Sequence, residues 1–84
     1  MNRSKSEISQ NLCYTELVYG RINKKLNAKF SKEQIEELLS EIITKTDENF
    51  FEKTGKNYYV TNIEHHIRIT INSNTFRVIT VDRI

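Results

Sequence analysis

The sequence has no proline, no tryptophan, one cysteine, two glycines and two histidines in 84 residues. Each shortage closes off a class of protein. The lone Cys13 cannot form an intramolecular disulfide, and no Cys/His set has zinc spacing, so a reducing cytoplasm is the expected home. Two isolated glycines do not make a phosphate loop, because Gly55-Lys56 lacks both the glycine-rich spacing and a strand-to-helix context. No apolar run approaches the roughly 18 residues of a membrane helix, and Met1-Asn2-Arg3-Ser4-Lys5-Ser6 lacks the apolar stretch of a signal peptide. A soluble chain with no membrane partner, no metal and no cofactor is therefore expected. Heavy use of lysine, asparagine and isoleucine without proline or tryptophan resembles the coding bias of an AT-rich bacterial or phage genome.

What is present fits a single domain over 1–84. A chain of this length buries only about 60–65% of the surface its unfolded form exposes, so the core is thin. The net charge of +2 is too small to argue nucleic-acid binding by itself. Its distribution says more: residues 1–46 carry eight Lys/Arg against six Asp/Glu, and residues 47–84 carry five against five. Arg21, Lys24, Lys25, Lys29 and Lys32 follow one another with no acid among them, at spacings that put most of them on one helix side. Such a stripe is either a solvated helix face or a set of phosphate contacts. Glu33, Glu37 and Glu41 recur every fourth residue, where they would pair with those lysines across an antiparallel neighbour.

Periodicity divides the chain. Ser4 and Glu7 have capping-box spacing, and Ile8, Leu12, Thr15, Tyr19, Ile22 and Leu26 recur behind them at three- and four-residue intervals, predicting one amphipathic helix of about five turns. Ser31 with Gln34 is a second capping box, Phe30 and Ile35 stand as a hydrophobic staple, and Ile35, Leu38, Leu39, Ile42 and Ile43 form an apolar stripe ending near Thr46. Residues 47–57 read as a polar connection anchored by Phe50-Phe51, residues 58–61 as a first strand, and 65–82 as a β-hairpin about Ser73-Asn74. In that register Ile71 faces Phe76, Ile69 faces Val78 and Ile67 faces Thr80 on the core side. Thr70 faces Arg77, Arg68 faces Ile79 and His66 faces Val81 on the outer side. The expected fold is α+β: two antiparallel helices on one face of a three-stranded antiparallel sheet, in the order α-α-β-β-β. Its predicted core is Ile35, Leu39, Ile42, Ile67, Ile69, Ile71, Phe76 and Val78.

Chemistry-bearing residues are few. Glu64-His65-His66 invites a metal or general-base reading, but neighbours on a strand point to opposite faces, so two imidazoles cannot easily share one metal. Cys13 lies on the apolar side of its helix with no base at hand. Arg68, Arg77, His66 and Thr70 share the expected outer face. Two guanidinium groups on neighbouring strands there would grip phosphates or carboxylates in forked hydrogen bonds, and His66 beside them could move a proton during RNA cleavage. One of Tyr58 and Tyr59 faces outward, and Tyr59 is taken as the one that stacks on a base or fills an interface. The expected binding set is thus Arg68, Arg77, His66, Thr70 and Tyr59, joined by Arg21, Lys24, Lys25, Lys29 and Lys32, with no catalytic residue assigned.

Gly55-Lys56-Asn57-Tyr58-Tyr59-Val60, Ile67-Arg68-Ile69-Thr70-Ile71-Asn72 and Phe76-Arg77-Val78-Ile79-Thr80 resemble a family of small bacterial and phage proteins known as domain of unknown function 3781, over about residues 12–83. The resemblance implies a stand-alone domain of bacteria and mobile elements and supplies no activity. A second resemblance, at the level of fold, is to the small ribonuclease toxins of toxin–antitoxin modules, from which this chain departs by lacking a strand before its helices. The expected function is non-enzymatic: occupation of a host protein or a nucleic acid through the partly basic sheet face. The alternatives are a ribonuclease toxin using Arg68, Arg77 and His66, and a structural homo-oligomer. A homodimer is expected, because Ile79 and Val81 on the outer face and a free sheet edge would be covered by a second chain.

Overall fold

The computed structural model describes residues 4–84, the side chain of Ser4 excepted, so the expected Ser4 cap lies outside the described residues. Three helices, α1 (Ser4–Asn11), α2 (Glu16–Leu26) and α3 (Lys32–Lys45), precede a 3-10 turn (Glu48–Phe50) and four strands. The strands are β1 (Phe51–Thr54), β2 (Asn57–Asn62), β3 (Ile67–Asn72) and β4 (Val78–Arg83), paired antiparallel in sequence order. The α+β class and the antiparallel sheet agree with expectation, whereas two helices and three strands do not.

α3 forms as its sequence dictates. The Ser31 hydroxyl accepts from the Gln34 amide at 3.2 Å, and the Gln34 side chain accepts from the Ser31 amide at 2.8 Å, so two N-terminal amides find partners. Ile35, Leu39, Ile42 and Ile43 are fully buried against Val60, Ile69, Ile71 and Val81. Of the predicted core only Phe76 stays half-buried.

The expected long helix is broken at residues 12–15. The Cys13 amide donates to the Phe76 carbonyl and the Cys13 carbonyl accepts from the Val78 amide, both at 2.9 Å, so this segment is bridged in parallel to the start of β4. Cross-chain bonds replace the intrahelical ones, and Tyr14 and β-branched Thr15 give the helix little propensity with which to compete. The fourth strand has a local cause too. Gly55, at φ +61, closes a two-residue turn that joins Thr54 to Asn57, and it draws residues 51–54 out of the expected loop into a hairpin.

The last hairpin is not the simple one. Asn72 Oδ1 accepts from the amides of Asn74 (2.8 Å) and Thr75 (2.9 Å), Phe76 sits at φ +60, and Asn72 pairs with Arg77, so the loop is 73–76. Ile71 pairs with Val78, Ile79 is bulged, and Thr70 then pairs with Thr80, Ile69 with Val81, Arg68 with Asp82 and Ile67 with Arg83. The extra residue reverses the faces beyond it: Thr80 turns outward and Val81 becomes fully buried. The expected exposed pair of Ile79 and Val81 therefore does not exist.

Candidate functional site

β4 and α2 lie side by side, and three of the sequence-predicted cations, Arg21, Lys25 and Arg77, stand along their seam. At one end Arg77 and Arg21 line a cleft of about 220 Å³ with Thr15, Leu17, Val18, Val78 and Ile79. Arg21 also donates to the bulged Ile79 carbonyl at 3.2 Å, an acceptor that the bulge frees from the ladder. One helical turn further on, Lys25 meets Asp82 at 2.8 Å. Asp82 in turn stands opposite Arg68 in the register, on the outer sheet face. Arg77 and Arg68 are not diagonal neighbours: five positions of β4 separate Arg77 from Asp82, roughly 15 Å at strand rise. They mark the two ends of a band, with Arg21 and Lys25 between them.

The other predicted residues divide. Tyr59 lies outward between Glu52 and Thr70, and Thr70, flanked by Tyr59 and Thr80, is buried on the outer face. Tyr59, Arg68, Glu52, Thr54 and Thr61 line a shallow polar hollow of about 280 Å³. His66 is not on a strand. It occupies the β2–β3 turn at φ +56, where its amide donates to the Ile63 carbonyl at 3.1 Å, and the expected grouping with Arg68 and Arg77 on one strand face is not assembled. The stripe is likewise divided: Lys32 turns to Glu16 (2.6 Å) and the Tyr19 ring (5.4 Å), while Lys24 and Lys29 are exposed. Glu41 pairs with Lys45 on its own helix at 2.8 Å, and that contact lowers the Glu41 carboxyl and raises the Lys45 ammonium from their ordinary values.

Sequence reasoning overlooked Leu17. It is 83% exposed at the rim of the Arg21–Arg77 cleft, whereas Val18 and Ile22 beside it are buried. A leucine outside the i, i+4 series Val18-Ile22-Leu26 was the available signal. Among the described residues no group of three or more His, Cys, Asp or Glu is arranged to hold a metal. No described helix is long and apolar enough to cross a membrane.

A family model described as "Protein of unknown function (DUF3781)" matches residues 6–82, in agreement with the resemblance read from the strand motifs. No curated protein and no solved structure matches the chain.

Proposed function

The chain belongs to this family, and from that premise we propose that it is a non-enzymatic binding protein whose α2–β4 seam docks an acidic segment of a protein partner. One observation carries the reading: Leu17, 83% exposed, stands over a cleft floored by Val18, Val78 and Ile79 and flanked by Arg21 and Arg77. An apolar side chain of the partner fills the cleft, carboxylates beside it take the two guanidinium forks, and Lys25 and Arg68 extend the contact along the band. Asp82, already held by Lys25, sets the register by repelling a carboxylate placed at that point.

Affinity capture from lysate with and without nuclease tests the partner class. The expected catch survives nuclease and elutes as salt is raised, since exposed ion pairs are screened. Loss of the catch on nuclease treatment would identify a nucleic acid instead. Turnover of RNA by the purified chain, abolished by His66→Ala with binding retained, would replace the reading with a ribonuclease.

A further inference from the structure

At the far end of β4 from Arg77, a cavity of about 410 Å³ opens between the end of α2, the α2–α3 loop, α3 and the β2–β3 turn. Its floor and mouth are apolar, formed by Leu26, Phe30, Leu38 and Ile67, with Phe30 38% and Ile84 49% exposed. Its polar lining is His65, His66 and Arg83, and no carboxylate side chain is among the lining residues.

We propose that this cavity binds a small amphipathic carboxylate, with the hydrocarbon part against Leu26, Phe30 and Leu38 and the head between His66 and Arg83. The volume falls in the usual range of small-ligand sites, about 300–1,000 Å³, and the combination of apolar walls with a few convergent polar groups is their usual composition. The polar groups are held in place. Arg83 donates one N–H to the Leu26 carbonyl at the end of α2, which fixes the guanidinium at the cavity wall and leaves its other donors for a ligand. The His65 ring is tied to Asn62 Oδ1 at 3.0 Å. His66 is held at φ +56, a backbone setting uncommon for a side chain of its size, and its carbonyl accepts from the Ile84 amide at 3.0 Å. Every polar side chain of the lining is a nitrogen base, so an anionic head is the complementary one where it lies against Arg83 and His66, clear of the main-chain carboxylate of Ile84 at the mouth.

The test is titration of isotope-labelled protein with sodium octanoate, and separately with octan-1-ol as the neutral ligand of equal chain length, followed by amide chemical shifts. Octanoate is expected to move the amides of Leu26, Ala28, Phe30, His65, His66 and Ile67, and to bind at least about fivefold more tightly than the alcohol. Arg83→Gln removes that preference. Because Arg83 also holds the end of α2, His66→Gly serves as the second variant: glycine adopts the positive φ freely, so the turn survives while the imidazole is lost, and octanoate binding weakens. Absence of shifts at millimolar octanoate, shifts centred elsewhere, or a preference below fivefold would each overturn the proposal.

Discussion

Two buried polar positions tie separate elements of this fold together. Asn62, on the core side of β2, is buried, and its amide nitrogen donates to Thr46 Oγ1 at 2.9 Å; Thr46 in turn donates to the Ile42 carbonyl at 2.5 Å. Its Oδ1 accepts from the His65 amide at 2.8 Å, so one side chain joins the end of α3 to the β2–β3 turn. Asn62→Ala should lower stability by about 1–3 kcal/mol in urea unfolding, the usual effect of deleting a buried hydrogen-bonding partner. Ile69→Asp, at a fully buried position, should abolish folding, since a domain of this size holds only roughly 4–12 kcal/mol in reserve. A folded Ile69→Asp protein of unchanged melting temperature would show the core to be misassigned. The tyrosines give a pH dependence of known sign. Tyr19 donates to Glu36 at 2.7 Å, a bond that only the neutral phenol can make, and this contact, with burial and the Glu36 charge, pushes its pKa up to about 12. Tyr14, stacked on Tyr19 at 5.5 Å with its hydroxyl buried and without a partner among the described residues, is raised further, first by burial and then by the Glu36 charge. Both folded values exceed the unfolded one near 10. Their contribution is complete below about pH 10 and is lost as pH rises through the folded values. Tyrosinate absorbance should therefore show a late phase that is reduced in Tyr14→Phe and Tyr19→Phe; titration of all phenols together near 10 would contradict this.

At the scale of elements, what the sequence disclosed depended on whether the determinants were local. α3 was legible from end to end because its cap and apolar stripe lie within a short span, and both read out as expected: the capping box forms and Ile35, Leu39, Ile42 and Ile43 are buried, although Phe30, the expected staple residue, stays 38% exposed. The break between α1 and α2 was not legible, because its cause is the pair of hydrogen bonds from Cys13 to residues more than sixty positions away. β1 has a local signal of a different kind, the Gly55-Lys56 turn, but residues 51–54 carry no apolar alternation to mark them as a strand. The seam was half legible. Its cations were all named from sequence, but their arrangement depends on the bulge at Ile79, which alternation alone does not reveal. NMR cross-strand contacts test that register directly. Thr70 should contact Thr80 and not Arg77; a Thr70–Arg77 contact would restore the simple hairpin and bring Arg68 and Arg77 together.

For the whole molecule, the expected self-association and the proposed partner contact fall on separate surfaces. With Val81 in the core, the expectation of a dimer stands on the free edge of β1, where exposed Glu52 and Lys53 oppose pairing. Thr54 and Asn57 flank a two-residue turn, so the Lys53 amide points away from β2 toward that edge. Edge pairing predicts a dimer at micromolar concentration in sedimentation that Lys53→Pro abolishes without unfolding the hairpin. A dimer unaffected by the proline would have to use another face. The central claim concerns the seam, and it is tested most directly by comparing the nuclease-resistant partner captured by the wild-type chain with that captured by Leu17→Ser/Arg77→Glu. Both positions are exposed and neither side chain belongs to the core, so the variant should melt as the wild type does. The account predicts a partner retained by the wild type and lost from the variant. Equal capture by the two proteins, or no partner that survives nuclease, would contradict it.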